Sequence, residues 1–167
     1  MSSSLKNLSD NELITQIPNA KAMRFGIVVS EWNHEVTSAL KDGAYNTLIK
    51  HGALAENLMI SYVPGSYELT LGAQLQLETA QVDAVICLGC VIQGETRHFD
   101  FICEAVAQGI TNLNLKYNKP VIFGVLTPNN QQQAMDRAGG KHGNKGDEAA
   151  ATAIKMLALK QKLNPSF

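Results

Sequence analysis

The chain has 167 residues, 45% hydrophobic and 17% charged, which suits one globular domain with a sizeable core. Fourteen basic residues oppose fifteen acidic ones and leave a net charge of −1, so the sequence offers no positive field for nucleic acid. No apolar run reaches the ~18 residues that a membrane span needs. The N-terminus also lacks a signal-peptide pattern, and we therefore expect a cytoplasmic protein with no membrane partner.

The start of the chain is polar and differs from the rest. Pro18 and Asn19 would stop a helix before the regular part begins. We predict an N-terminal arm over residues 1–22, either loose or paired as a strand with a neighbouring subunit. A single α/β domain over residues 23–163 and a C-terminal tail over residues 164–167 complete the predicted organisation.

Four apolar segments predict β-strands: RFGIVVS (24–30), LMISYV (58–63), AVICLGCVI (84–92) and PVIFGVLT (120–127). Helical stretches follow them, starting near Asn33, Gly65, His98 and Pro128, and a last helix covers about 146–163. Strands this apolar are expected to be covered on both faces, as in a parallel sheet. The predicted fold class is therefore α/β, a flavodoxin-like three-layer α/β/α sandwich with a four-stranded parallel sheet.

Cys87 and Cys90 form a C-x-x-C pattern inside the third predicted strand, and Cys103 follows in a helix. The pattern has a redox or metal-binding interpretation. A redox pair normally lies at a helix start, where its thiolate is stabilised. No second pair or adjacent histidine completes a set of metal ligands. Small buried thiols are the alternative interpretation, and three cysteines are too few for a disulfide scaffold.

The turns after the four strands predict a ligand site, because ligands in such folds bind beyond the carboxyl ends of the strands. The chain's single tryptophan, Trp32, lies in the first turn, and Tyr67 with Glu68 lies in the second. Phe123 belongs to the fourth strand. Aromatic walls with a few polar groups are typical of a pocket for a heterocycle.

The third turn, VIQGETRH, leads directly into a helix at His98. A helix N-terminus offers free backbone N–H groups and a positive dipole end to an anion. A histidine titrates near neutral pH and can move protons there. Phosphate recognition and proton transfer could therefore share this position.

The segment RAGGKHGNKGDEAA, residues 137–150, places three basic side chains among four glycines. Arg137 can form a bidentate contact with a phosphate, and Lys141 and Lys145 add mobile charges. The alternative is a flexible, solvated connection between helices. The motifs of nucleotide triphosphate and dinucleotide sites are absent.

The other candidates also have purely structural interpretations. Trp32 could cap the core at the sheet edge, and Glu68 could simply favour the dipole of its helix. His98 could be a helix-start residue that faces solvent.

Taken together, the pieces FGIVVSEWN, VPGSYEL, LGCVIQGETRHFDF, PVIFGVLTPNN and DRAGGKHGNKGDEAA resemble the 6,7-dimethyl-8-ribityllumazine synthase family. The resemblance runs from about Arg24 to Leu159. It implies a transferase of riboflavin biosynthesis with no metal and no organic cofactor. The implied reaction joins 5-amino-6-(D-ribitylamino)uracil to 3,4-dihydroxy-2-butanone 4-phosphate and releases phosphate and water.

The resemblance also implies roles for individual residues. His98 matches the catalytic histidine, and Glu95, Thr96, Arg137 and Lys145 match the phosphate side of the site. An acidic Glu95 suits a dianion only if its backbone N–H makes the contact and its carboxylate turns away, toward water or Arg97. The implied residues for the ribitylaminouracil are Trp32, Ser66, Tyr67, Glu68, Cys90, Val91, Ile92 and Phe123, with Phe123 coming from a neighbouring subunit.

The implied partners are further copies of the chain. Members of the family form pentamers, some of which assemble into an icosahedral shell of sixty subunits, and the short GGKHGNKG connection is typical of the shell-forming members. Riboflavin synthase is a further partner that the resemblance allows. A non-catalytic flavin-binding or shell-forming relative and a flavodoxin-like electron carrier are the alternative functions. The second of these would normally have a Ser/Thr-rich phosphate loop after the first strand, and SEWN is not one.

Overall fold

A computed structural model describes residues 7, 9 and 17–164. Most of the predicted N-terminal arm, and the last three residues of the predicted tail, lie outside the described residues. The arm and the domain bounds therefore stay predictions. None of the helices in the described ranges is long and apolar enough to cross a membrane.

The sheet has four parallel strands in the order β2-β1-β3-β4. They are β1 (Phe25–Ser30), β2 (Leu58–Val63), β3 (Ala84–Cys90) and β4 (Val121–Leu126). The two central strands, β1 and β3, are buried along their whole length, as expected where helices cover both faces of a parallel sheet. The predicted four-stranded parallel sheet is confirmed.

Within residues 17–164, five α-helices surround the sheet: α1 (His34–Lys50), α2 (Leu69–Thr79), α3 (His98–Tyr117), α4 (Gln131–Met135) and α5 (Lys145–Leu163). A 3-10 turn, Ala55–Asn57, precedes β2, and a short antiparallel hairpin joins β5 (Ala138–Gly140) to β6 (Gly143–Asn144). Two separate hydrophobic clusters lie on the two faces of the sheet, one under α1 and α5 and the other under α2 and α3. These layers make the α/β/α sandwich that the sequence predicts.

Helices α1 and α5 pack in very close contact. A Cβ atom on Gly146 would lie 1.9 Å from the backbone oxygen of Leu40 and 2.9 Å from the backbone nitrogen of Ala44. Only glycine fits at this crossing. The backbones of α1 and α5 therefore meet at the start of α5.

One expectation about the strands is wrong. Strand β2 lies at an edge of the sheet, and Met59, Ile60 and Tyr62 on it are exposed. An apolar strand sequence cannot distinguish a central strand from an edge strand whose side chains pack on another molecule. The apolar surface of β2 is therefore available for contacts outside this chain.

Two helices begin later than predicted. Helix α2 starts at Leu69 instead of near Gly65, because residues 64–68 form a turn. Helix α4 starts at Gln131 instead of near Pro128, since the side chain of Asn130 accepts a hydrogen bond from the backbone N–H of Gln133 and caps the helix there.

Candidate functional site

A cavity of about 550 Å³ lies beyond the carboxyl ends of β1, β2 and β3. This is the position where ligands bind in open α/β sheets. Its walls come from the three turns that follow these strands and from the start of α3. The lining residues are Trp32, Asn33, Gly65, Ser66, Tyr67, Glu68, Cys90, Val91, Ile92, His98 and Ile102.

The first wall carries Trp32, whose side chain is 71% exposed. The backbone N–H of Glu31 donates to the carbonyl of Val63 (2.8 Å), and that of Trp32 donates to the carbonyl of Pro64 (3.1 Å). These bonds extend the pairing of β1 with β2 past the ends of the strands. Trp32 therefore does not cap the core. It presents an open aromatic face beside the cavity.

The second wall contains Ser66 and Glu68. The Ser66 hydroxyl is buried and makes no hydrogen bond within the described part of the chain, which leaves a donor and an acceptor for a ligand. Gly89 makes room for it, because a Cβ atom there would lie 2.6 Å from the Ser66 Oγ. The Glu68 carboxylate turns back over Gly65, where a Cβ atom would be 3.1 Å from its Oε2, and does not cap α2.

The third wall is mainly backbone. The N–H of Val91 donates to the carbonyl of Leu126 (2.8 Å), so the end of β3 stays paired with the end of β4. The thiol of Cys90 is buried, and burial raises its pKa to about 12. A peptide edge, and not a reactive thiolate, therefore faces the cavity at this position.

The C-x-x-C pair consists of buried thiols. Cys87 is fully buried under α2, and burial raises its pKa to about 12 as well. Among residues 7, 9 and 17–164, no three His, Cys, Asp or Glu side chains are grouped so that they could hold a metal ion. The geometry favours the interpretation of buried thiols.

His98 is the first residue of α3 and is exposed at the mouth of the cavity. Its backbone N–H donates to the Thr96 hydroxyl over 3.4 Å. Arg97 pairs with Asp100 at 3.5 Å, not with Glu95. Thr96 and Glu95 belong to the exposed turn before the helix and do not line the cavity.

Arg137 and Lys145, the two basic residues predicted for the phosphate side, lie in a second region, the segment 137–148. They do not line the cavity. The Arg137 guanidinium is half-buried and donates from Nη1 to the carbonyl of Gln133 (3.3 Å). The Lys145 Nζ lies 2.6 Å from Glu148 Oε1. The side chain of Asn144 caps α5 by accepting from the N–H of Gly146. The polar groups of this region are thus partly occupied by one another.

Phe123 also lies outside the chain's own cavity. It is a half-buried residue in the middle of β4, paired in register with Cys87, and it packs against the core under α2 and α3. Its predicted role in a neighbouring subunit's site stays a prediction.

The structure brings together most of the predicted ring-side residues with His98, and separates them from Phe123, Glu95, Thr96, Arg137 and Lys145. It adds Asn33, Gly65 and Ile102, which we did not predict as site residues. Asn33 and Gly65 stand in the two turns singled out from the sequence. A polar turn residue carries no periodic pattern that would have identified it.

Comparisons with known proteins identify the family of the chain. The family model described as 6,7-dimethyl-8-ribityllumazine synthase matches residues 22–161. A protein of that name from Cytophaga hutchinsonii is 64% identical over 158 residues, covering 95% of this chain and 98% of its own. Proteins of the same name from Phocaeicola vulgatus (53% identical, 98% and 96% covered) and Parabacteroides distasonis (55% identical, 94% and 98% covered) also match. The chain belongs to the 6,7-dimethyl-8-ribityllumazine synthase family.

Proposed function

We propose that the reaction of this family takes place in the cavity between Trp32 and His98. The chain catalyses the condensation of 5-amino-6-(D-ribitylamino)uracil with 3,4-dihydroxy-2-butanone 4-phosphate. The products are 6,7-dimethyl-8-ribityllumazine, phosphate and water. The observation that carries the location is the convergence of an open aromatic face, a histidine and a hydroxyl that has no partner in the described part of the chain on one space.

The pyrimidine ring stacks on Trp32 in this proposal, and its polar edge meets the backbone at 90–92. Support comes from the open indole face and from the peptide edge of the third wall. The ribityl chain has several hydroxyls, and the neighbouring Ser66 hydroxyl and Glu68 carboxylate are suited to bind them. Tyr67 adds a second aromatic side chain to the same wall.

His98 transfers protons during the condensation. The substrate amine attacks the ketone, water leaves to give an imine, phosphate is eliminated, and ring closure releases a second water. Each step takes a proton from one atom and gives a proton to another, and a histidine serves both directions near neutral pH. The position at the mouth of the cavity leaves its imidazole open to substrate and solvent.

The departing phosphate is held by Arg137 and the turn at Thr96, with Lys145 near the same end. Arg137 is half-buried, and its guanidinium has donors beyond the bond to Gln133. The exposed turn leads into the 20-residue helix α3, whose positive dipole end favours an anion. Glu95 contributes through its backbone.

Positioning supplies much of the remaining rate enhancement. Holding two substrates in a reactive geometry can lower a barrier by roughly 7–11 kcal/mol in favourable cases. The proposal requires no metal or organic cofactor, because the two substrates supply the amine, the ketone and the leaving group.

The complete site forms between copies of the chain. Met59, Tyr62, Leu71, Leu75 and Phe101 are each at least 45% exposed, and exposed large apolar residues on neighbouring elements mark an interaction surface. Phe123 and Arg137 lie outside the chain's own cavity and in this proposal serve a neighbour's. We propose a homo-oligomer built from pentamers that assemble into the icosahedral shell, located in the cytoplasm, with riboflavin synthase as a further partner.

A mixing experiment tests the shared site. His98→Ala and Arg137→Ala chains are each impaired, but co-refolded mixtures recover up to about a quarter of the wild-type activity if the two residues serve one site from different copies. A mixture no more active than its components would place both residues in the same copy.

Sedimentation velocity distinguishes a free pentamer from the shell.

A product assay tests the function itself. The purified chain is incubated with both substrates, and the absorbance of the lumazine is followed with and without the butanone phosphate. We expect product only when both substrates are present. A chain that binds the pyrimidine and forms no product would instead be a non-catalytic relative.

A further inference from the structure

We propose that Asn33 is a positioning residue for the pyrimidine substrate, joining the turn that carries Trp32 to the backbone edge at Cys90. The inference rests on the proposed function for the identity of the ligand. Its structural basis is independent of that function. Asn33 lines the cavity, and none of the roles that the family resemblance implies falls on it.

The backbone of Asn33 has an unusual conformation. Its φ is 59° and its ψ is 45°, in the left-handed region. Among the non-glycine residues of the described ranges, only Asn118 shares a positive φ. Asparagine tolerates this region better than most residues, although the conformation still has an energetic cost. A turn that keeps this conformation is held there by its surroundings.

The Asn33 side chain explains what holds the turn. Asn33 is the N-cap residue of α1, a position where asparagine normally accepts a hydrogen bond from the helix backbone. No such bond is present. The amide Nδ2 instead donates to the carbonyl of Cys90 over 2.9 Å, across 57 residues of sequence.

This bond closes a set of contacts around the cavity. The first turn is already tied to the second through the backbone bond from Trp32 to Pro64, and the third turn is tied to β4 through Val91. The Asn33 amide links the first turn to the third. Beyond the pairing of β1 with β3, which ends at Val29 and Leu88, this side chain holds the Trp32 wall against the Cys90 wall.

Trp32 needs such support because it has little packing of its own. Its side chain is largely exposed, so the orientation of the indole is set mainly by the backbone of the turn. A pyrimidine that stacks on Trp32 and bonds the edge at 90–92 requires both surfaces at a fixed spacing. Loss of the amide is expected to weaken binding of this substrate and to leave binding of the phosphate substrate nearly unchanged.

Two substitutions separate the bond from the backbone conformation. Asn33→Asp keeps the side-chain shape and the tolerance for positive φ, but places carboxylate oxygens against the Cys90 carbonyl. Asn33→Gly removes the side chain and relieves the positive φ. We expect the Kd for 5-amino-6-(D-ribitylamino)uracil to rise about tenfold in Asn33→Asp and roughly threefold in Asn33→Gly, within the range expected for one lost hydrogen bond.

The single tryptophan of the chain provides the spectroscopic readout. Titration with the ribitylaminouracil is expected to quench Trp32 fluorescence in the wild type, and the quenching curve shifts to higher ligand concentration in both variants. Steady-state kinetics should show the same rise in the KM for this substrate. The KM for the butanone phosphate is expected to stay within about twofold, since the amide makes no contact with the phosphate side.

Asn118→Asp is the matched control. Asn118 has a φ of 49° at the other end of α3, about 30 Å from His98 along a helix of 20 residues. Asn118→Asp introduces the same negative charge at a residue that also has a positive φ, but Asn118 does not line the cavity. Its Kd for the pyrimidine and its fluorescence titration are expected to match the wild type.

The measurements distinguish a wrong role for Asn33 from a wrong proposed function. A wild type that forms product beside Asn33 variants with unchanged Kd and unchanged quenching overturns the role of Asn33 alone. A wild type that forms no product and shows no quenching overturns the proposed function and the assignment of the pyrimidine together. If a thermal melt shows that Asn33→Asp is unfolded, the Kd and the quenching curve of Asn33→Gly test the role of Asn33, because glycine adopts the positive φ without backbone strain.

Discussion

The polar groups of the cavity and those of the segment 137–148 differ in whether they already have hydrogen-bond or ion-pair partners. Around the cavity the turns are tied together through the backbone, and the Ser66 hydroxyl has no hydrogen-bond partner among the described residues. In the segment 137–148 the charged side chains already have partners within the chain, as Lys145 has in Glu148 and Arg137 in the carbonyl of Gln133. If the proposed function holds, the cavity is already arranged for its ligand, whereas the second region must exchange an internal partner for one.

This difference suggests that the two regions serve different substrates. A preformed cavity suits the larger, flatter substrate, which needs shape and hydrogen bonds in fixed places. A charged segment with internal partners suits a phosphate that arrives, reacts and leaves. Four experiments test this division.

The largest effect is expected for His98→Ala. Loss of acid–base help should lower kcat by about 10²–10⁴-fold and leave residual turnover from positioning. Steady-state kinetics with both substrates measure the effect. His142→Ala, a histidine of the second region with no assigned role, is the control and should change kcat by less than about twofold. Equal losses in the two variants would remove His98 from the mechanism.

Arg137→Ala should act on the other substrate. Losing a charged hydrogen bond to phosphate should raise the KM for 3,4-dihydroxy-2-butanone 4-phosphate by roughly 10–100-fold, with a much smaller change in kcat. Lys141→Ala is the control, since this exposed lysine pairs with Asp136 at 3.4 Å. An unchanged KM in Arg137→Ala would falsify the phosphate assignment.

Glu148→Gln tests whether the ion pair competes with phosphate. The substitution should free the Lys145 ammonium and lower the KM for the butanone phosphate by up to about fivefold, the range of a partly exposed pair. A thermal melt measures the accompanying change in stability. If the KM rises instead, Glu148 orients Lys145 in the bound state and the proposed competition is wrong.

The smallest effect concerns the buried thiols of the C-x-x-C pair. With pKa values raised to about 12 by burial, Cys87 and Cys90 stay protonated at pH 8, where only about 10⁻⁴ of each is thiolate. Iodoacetamide at pH 8 should therefore leave both unmodified in the folded protein, by mass spectrometry of peptides. Unfolding in denaturant should expose all three cysteines to the reagent. Rapid modification of Cys90 in the folded protein would show a thiolate at the cavity wall.

The sequence predicts the strands well, since strong apolar runs between turns have few other interpretations. Strand β2 has the predicted bounds, while β3 ends at Cys90, two residues earlier than predicted, and Val91 and Ile92 line the cavity. The hairpin at 138–144 was not predicted. A few glycines and polar residues give no periodic pattern over so short a distance.

The site is predictable to the extent that it lies in turns at the ends of strands. Trp32, Ser66 and His98 could be located from that rule and from the family resemblance. The role of Asn33 could not, because neither its positive φ nor its bond to Cys90 is visible in the order of residues. Nor can a single sequence say which copy of the chain supplies Arg137 to a given site.

The close crossing of α1 and α5 also affects the position of a charged side chain. Gly146 admits the backbone of Leu40 at a distance that no side chain would permit, and Lys145 is its immediate neighbour in the chain. The absence of one methyl group thus determines where a charged ammonium stands. An evolutionary path that replaced this glycine would have to separate α5 from α1, and the start of α5 would move with Lys145 on it.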